Sequence, residues 1–557
     1  MTPRFEKELQ RLRGVFPAPD PDPAADDALA HEIADAVRQA LRLKTAAPRL
    51  ATGVEERPAE TAEHLASDWP IPAKGIAAVV QELREYLAGL PLETHPRNQV
   101  NVNAQPSTAA IIGALLPTLF NPNLTSDGRG AGCSRAEQRV VSLAAQLAGY
   151  DPEVAGGLFT FGGTGTMLYG VKLGLEKALP GSMRTGIDRP VVVLASERAH
   201  HTCLTAAGWL GIGEQRVWRV PAEDDFSARC ETFKAYAERA IQEGIRIAAI
   251  VATVGTTDAF GVDDVASLAN LRDQLVADHG LDYVPHLHAD AVIGWAWNAF
   301  QGYSFRDNPL EFDPPTSAAL ERVTRRVAGL RQADSMGLDF HKTGFAPYVS
   351  SLFLVRRGAE LNKLARPRDS MPYLFHSGLH HPGRYSLETT RSASGVLAAL
   401  ASLRLLGRDG LRVLLGAATA RTQRFRQKLA ELPSVKIVNA TADGPVTLYR
   451  AYPLGWDADE TWRRERNSSA FATMSLEINA FNRRIHEATQ AAARAGGAAG
   501  AGWTESTCVG AAGQPLAALK TYLLSPFLED ATVDDLVTHV KQARDAEIFP
   551  GGRDAAS

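Results

Sequence analysis

The stretch Leu338–Tyr348, LDFHKTGFAPY, sets His341 and Lys342 between an apolar run and a turn containing Gly344 and Pro347. Most lysines are solvated surface cations, because burying the ammonium is costly; the other use of the residue is as a nucleophilic amine. Three earlier stretches also carry reactive or ligand-binding types. In Thr160–Leu179, TFGGTGTMLYGVKLGLEKAL, Gly162, Gly163, Thr164 and Gly165 lead into a helical face of Leu168, Val171, Leu175 and Leu179. A glycine-rich helix entry exposes backbone N–H groups to a phosphate, although many such turns only cap a helix. No GxxxxGK[ST] occurs there, which disfavours a nucleotide P-loop. His200 and His201 follow the apolar run Val191–Ala195, and Asp290 ends the run HLHAD. Residues just past strand ends are where open α/β sheets place ligands. An aspartate there is either a helix N-cap or the partner of a buried cation, and a histidine there is often only structural.

The elements needed to position these residues are legible as alternating strand-like and helical runs from Asn121 to about Arg404. VVVLA (Val191–Ala195), IAAIVATV (Ile247–Val254), YVPHLHAD (Tyr283–Asp290) and SSLFLV (Ser350–Val355) read as strands buried on both faces. Helical segments around Leu204–Leu210 and Cys230–Ile241 fall between the first two, as in a parallel sheet wrapped by helices. The expected organisation is an N-terminal arm and substrate-side segment (1–120), a large domain (121–404) and a small C-terminal domain (405–557). The small domain opens on a helix over Leu411–Leu432 and continues with the strand-like VKIVNA (Val435–Ala440). The alanine- and glycine-rich Gln490–Gly502 reads as a loop and Val533 to Arg544 as a final helix. A 557-residue chain with 45% hydrophobic and 22% charged residues and a formal charge of −4 is a folded protein with nothing inviting nucleic acid. The charged N-terminus lacks a signal-like apolar core, and no apolar run approaches the ~18 residues of a membrane span, so a cytoplasmic protein is expected. Cys133, Cys203, Cys230 and Cys508 are widely spaced without a CxxC pair, which argues against a zinc site or a disulfide framework.

A phosphate turn, a histidine, a strand-end aspartate and a His-Lys pair, in that order, meet the needs of pyridoxal 5'-phosphate. The phosphate takes backbone donors, the aldehyde takes a lysine amine, the pyridine nitrogen takes a carboxylate, and a histidine can stack on the ring.

With these residues in view, the chain resembles the group II pyridoxal-phosphate-dependent amino-acid decarboxylases, the family of the aromatic-L-amino-acid, glutamate and bacterial tyrosine decarboxylases. ADSMGLDFHK (Ala333–Lys342) has the family's A-D-S-x-x-x-[ND]-x-H-K form, HADA (His288–Ala291) is similar to its H-V-D-A-A, and VATVGTTDAFGVDD (Val251–Asp264) to its A-T-x-G-T-T segment. THPRNQVNVN and LFNPN resemble the substrate-side region of the bacterial tyrosine enzymes. The likeness runs from about His95 to Arg404 and more faintly to LKTYLLSP. It implies fold type I, aspartate aminotransferase-like, with a mostly parallel sheet in the large domain and a smaller α+β C-terminal domain. It also implies a homodimer with sites at the interface. By the same resemblance Lys342 binds the cofactor aldehyde, Asp290 holds the pyridinium proton, and His200 stacks on the ring, with His201 in support. Gly163, Thr164, Thr257 and His341 surround the cofactor, and Ser335 is a further phosphate candidate. In PYLFHSG (Pro372–Gly378), Tyr373 matches the mobile-loop tyrosine that returns a proton after decarboxylation. A phenol suits that role, and an aromatic anchor in a surface loop is the plainer alternative. Arg391 matches a structural helix-start arginine.

The chain departs from the family at Trp295, where glycines are usual, at Phe340, where proline is usual, and at Thr343, where Met or Trp is usual. Trp295 would either narrow the pocket or point into the core. The expected reaction is decarboxylation of a neutral L-amino acid, aromatic or branched aliphatic, to the primary amine and CO2. The alternatives are decarboxylation with oxidative deamination to an aldehyde, a carbon-carbon lyase, and a non-catalytic scaffold of the same fold.

Overall fold

Strand after strand in the first two-thirds of the chain is buried on both faces, and the computed structural model places them in one sheet flanked by helices. It describes residues 4–13, 15–17, 22–44, 74–98, 100–371, 378–495 and 500–549. The large sheet contains β1 (Gly156–Thr160), β2 (Val191–Ser196), β3 (Val217–Val220), β4 (Arg246–Thr253), β5 (His286–Asp290), β6 (Ser335–Asp339) and β7 (Ser351–Val355). Their order is β1-β7-β6-β5-β4-β2-β3. β7 runs antiparallel to both its neighbours, β1 and β6, and the remaining pairs are parallel. Its core includes Ile247, Ile250, Leu287, Met336 and Leu352, each without solvent exposure.

The helix Gly163–Ala178 lies directly on this sheet. A Cβ at Gly174 would come within 2.3 Å of the Ala248 carbonyl, and one at Gly170 within 2.5 Å of the His288 ring. Glycine at these two positions, one helical turn apart, lets the helix axis press onto β4 and β5. The helix start is thereby carried to the carboxyl ends of the strands.

The second sheet is antiparallel in the order β10-β11-β9-β8, from β8 (Val435–Ile437), β9 (Val446–Ala451), β10 (Gly502–Val509) and β11 (Pro515–Tyr522). The helices Ser394–Ala430, Ala472–Arg494 and Asp530–Ala546 cover it, with Phe425, Tyr449, Phe481 and Leu519 in the core between. The helix expected from Leu411 instead starts at Ser394 and kinks at Gly407, whose φ of 59° breaks the helical path. The alanine-rich stretch from Gln490 is helical as far as Arg494, because alanine has the highest helix propensity of any residue; residues 496–499 lie outside the described residues. The strand expected from Tyr283 starts at His286. Among the described residues the four cysteines are free thiols, and no helix is long and apolar enough to cross a membrane.

Candidate active site

β5 and β6 run side by side, with Asp290 paired to Gly337, so their carboxyl ends place Asp290 and Asp339 at one edge of the sheet. The helix Gly163–Ala178 begins at that edge. A Cβ on Gly163 would meet the Asp339 Oδ2 at 3.0 Å and the Val292 Cγ1 at 3.3 Å. The N-cap is Gly162, with φ 108° and no capping side chain. The first N–H groups of the helix, those of Gly163 and Thr164, therefore face outward at its positive end, a setting suited to an anion.

Lys342 stands on the turn after β6. Its Nζ is 2.9 Å from Asp339 Oδ2, and the other carboxylate oxygen accepts the Ser351 hydroxyl at 2.6 Å. The His341 Nε2 lies 3.5 Å from Asp339 Oδ2, while its Nδ1 faces the backbone of Ser350. Asp290 is buried, and burial pushes its carboxyl up to about 6; the Lys342 charge opposes this rise and the Asp339 charge adds to it. His200 is held down to about 4, first by burial and then by the charges of His201 and Lys342. Its Nδ1 accepts the Thr202 N–H at 3.3 Å, which leaves the proton of the neutral ring on Nε2. A neutral imidazole offers a flat, uncharged face.

The loop carrying Thr257 reaches this edge from the end of β4 and is held by the second sheet. The Tyr522 hydroxyl donates to the Thr257 carbonyl at 2.7 Å, and Asn439 Nδ2 donates to the Ala259 carbonyl at 3.1 Å. Asp258 accepts from Lys520 Nζ at 2.8 Å and from the Thr504 hydroxyl at 2.9 Å. A cavity of about 460 Å³ opens here, lined among others by His200, Thr257, Glu197, Arg198, Arg219 and Asp258.

The arrangement fits pyridoxal phosphate. A glycine cradle that a side chain would crowd lies at a helix N-terminus, a buried carboxyl has a raised proton affinity, and a lysine amine shares the same sheet edge.

Gly163, His200, Asp290, His341 and Lys342 therefore cluster, and Thr257 shares the cavity wall with His200. Thr164 is exposed on the first turn of the helix. Ser335 does not join them. It begins β6 while Asp339 ends it, and its buried hydroxyl lies 2.8 Å from both His286 Nε2 and His288 Nδ1. Tyr373 lies outside the described residues. Trp295 points into the core, with its ring centroid 4.9 Å from that of Phe340. Arg391 is a buried tie to Glu137. Sequence reasoning gave no role to Ser351 or to Asp339, although Asp339 fills the [ND] position of the motif, an acid three residues before the lysine. It also gave no role to Asn439, Lys520 or Tyr522, because nothing local in the C-terminal part announces a contact with the loop at Thr257.

The pyridoxal-dependent decarboxylase conserved domain matches residues 58–449. An L-2,4-diaminobutyrate decarboxylase of Rhizobium meliloti (strain 1021) is 30% identical over 383 residues, covering 66% of this chain and 70% of that protein. A probable L-tyrosine/L-aspartate decarboxylase of Methanothermobacter thermautotrophicus is 27% identical, covering 60% of this chain and 81% of the other. In fold, the chain is similar to mouse CSAD in apo form, with a TM-score of 0.75 at 18% identity over 94% of this chain and 99% of that one. Catharanthus roseus tryptophan decarboxylase gives a TM-score of 0.72 at 16% identity, over 95% of this chain and 99% of the other. The chain belongs to the pyridoxal-dependent decarboxylase family, with the fold type I architecture and the pyridoxal phosphate cofactor of that family.

Proposed function

We propose that this amino-acid decarboxylase acts on an L-amino acid whose side chain is polar or charged, with a diamino acid as the leading class. The observation that carries this reading is the wall of the cavity beside His200, where the charged Glu197, Arg198, Arg219 and Asp258 stand among apolar residues such as Phe226 and Leu448. The Glu197 and Asp258 side chains are 39% and 42% exposed, so their carboxylates are accessible to a distal ammonium. Relatives named as diaminobutyrate decarboxylases support the same class. The neutral side chain expected from the sequence is the second reading; of the two placements open to Trp295 there, narrowing the pocket or pointing into the core, the second holds.

Pyridoxal phosphate, when bound, supplies the sink for the electron pair released as the bond between the α-carbon and the carboxylate breaks. Lys342 is assigned to anchor the aldehyde, with Asp339 fixing the approach of its Nζ. Asp290 is assigned to hold a proton at the ring nitrogen, a task suited to a buried carboxylate, whose charge is little screened by water. His200, neutral at physiological pH, is assigned to cover the ring and orient the substrate carboxylate. Tyr373 is assigned the proton delivered to the α-carbon after CO2 departs. A second copy of the chain is assigned to the exposed apolar face formed by Ile111, Ile112, Leu115, Leu116, Leu119 and Phe120, making a homodimer.

The test is a screen for CO2 and amine release over 2,4-diaminobutyrate, aspartate, tyrosine and leucine, together with the visible absorbance of the holoenzyme and of Lys342→Ala. The reading expects turnover of a charged substrate and loss of the lysine-bound band in the variant. Turnover of tyrosine or leucine alone would replace it with the neutral-substrate reading. Peroxide and ammonia in place of the amine would mark the aldehyde-forming outcome. A protein that takes up no cofactor would be a scaffold.

A further inference from the structure

The ladder between β5 and β6 ends where Asp290 pairs with Gly337. Beyond that point the two chains diverge into separate turns, one following Asp290 and the other bearing Lys342. Among the described residues no backbone hydrogen bond joins the segment 291–300 to the segment 339–346. Two side chains join them instead. The Thr343 hydroxyl donates to the Ile293 carbonyl at 2.9 Å, and the Trp295 indole N–H donates to the Asp339 carbonyl at 3.2 Å. The ties run in opposite directions, one from each turn. Both donors are fully buried, so no water competes for either carbonyl. Phe340 fills the space between the turns, 4.9 Å from the Trp295 ring and 5.8 Å from the Phe159 ring, centroid to centroid.

We propose that Thr343 and Trp295 are positioning residues that set the separation of Lys342 and Asp290 beyond the end of the β-ladder. Trp295 and Phe340 pack ring to ring, and Thr343 ties the same two turns through the Ile293 carbonyl. Together they act on the cofactor site without touching the cavity: they decide whether amine and carboxyl stand far enough apart to grip a cofactor at both ends. If a tie is lost, the two turns sample other separations, and cofactor affinity falls with the fraction of molecules in the competent one.

The inference rests on the assignment of Lys342 and Asp290 to the cofactor. Cofactor-free protein is titrated with pyridoxal phosphate, following the visible band of the lysine-bound cofactor. Wild type, Thr343→Val, Thr343→Ser and Trp295→Phe are compared, and the pH dependence of the band and the melting temperature of each cofactor-free protein are recorded. Thr343→Val keeps the shape of the side chain and loses the donor; it is expected to bind pyridoxal phosphate about tenfold more weakly, for a competent fraction reduced by about that factor. The pH profile of the band should also move. Thr343→Ser, which keeps the hydroxyl, should restore both, and Trp295→Phe should resemble Thr343→Val. If wild type forms no band, the assignment of Lys342 fails. If wild type forms it and Thr343→Val matches wild type in affinity and pH profile, the assignment stands and the positioning role is overturned. A lower melting temperature with affinity and pH profile unchanged likewise overturns it, because the ties would then serve stability alone.

Discussion

Glu137→Gln removes one negative charge from a site sealed against water and leaves its shape almost unchanged. Glu137 and Arg391 are 1% and 5% exposed, and the guanidinium meets the carboxylate through two contacts, at 2.6 and 3.0 Å. Arg391 also donates to the carbonyls of Leu124 at 2.6 Å and Phe159 at 3.2 Å, while Glu137 accepts the Phe159 N–H at 2.8 Å. The pair therefore joins the helix Asp127–Ala148, the segment before the helix Ser394–Ala430, and β1, the strand that leads into the Gly162–Gly163 turn. An amide in place of the carboxylate leaves a buried guanidinium facing neutral groups only, at a cost of about 3–5 kcal/mol. Unfolding entropy of about 2.1 cal/mol/K per residue gives about 1.2 kcal/mol/K for a chain of this length, so the expected fall in Tm is about 3–4 °C. Scanning calorimetry of the holoenzyme measures it. Arg391→Met alone strands a carboxylate and two carbonyls and should cost at least as much. The double variant should be less damaging than the sum of the two by about 2 kcal/mol, since neither charge is then left alone. Additivity within about 0.5 kcal/mol, or a Glu137→Gln shift below about 1 °C, would refute the claim that the two charges depend on each other.

Three further outcomes follow from the same geometry. Gly444→Ala would place a Cβ 2.0 Å from the Phe260 ring; this overpacking should cost about 1–3 kcal/mol and loosen the Thr257 loop, seen as a lower Tm and weaker cofactor binding. Burial holds His288 down to about 3, below its unfolded value of about 6.5, so its contribution to stability is full above pH 6.5 and is lost as pH falls toward 3. Stability measured against pH should be shallower across that window in His288→Gln, by about 1.4 kcal/mol per pH unit; an unchanged slope would contradict a neutral His288. Asp339→Ala removes the anion beside Lys342 Nζ and should slow formation of the lysine-bound cofactor band in stopped-flow mixing; an unchanged rate would show that Asp339 does not place the amine.

The residues that sequence brought to one sheet edge, His200, Asp290 and Lys342, each sit at or just past the end of an apolar run, where strand direction alone puts them on the same side. Ser335 shows the limit of that reasoning. It belongs to the same motif as Lys342 yet opens the strand that Asp339 closes, and four residues of extended chain span about 13 Å. A motif is read along the chain, whereas the site is assembled across it. β1, β3 and β6 escaped notice for a related reason. β1 and β6, GGLFT and SMGLD, are short and contain glycine; β6 is a strand because β5 and β7 pair with it on both sides, and β1 because it pairs along β7 at the sheet edge. The partners of Asp258 and Thr257 come from β10 and β11, roughly 250 residues downstream, a distance over which no local pattern carries information.

The grip of the second sheet on the loop at Thr257–Ala259 bears on how such an enzyme can be rebuilt. Asn439, Thr504, Lys520 and Tyr522 hold that loop as a template holds a casting. A chimaera that grafts a relative's C-terminal portion onto this large sheet would exchange the mould along with the part. The breakpoint for recombination is therefore set by these contacts rather than by the kink at Gly407, and loop and sheet should be inherited together.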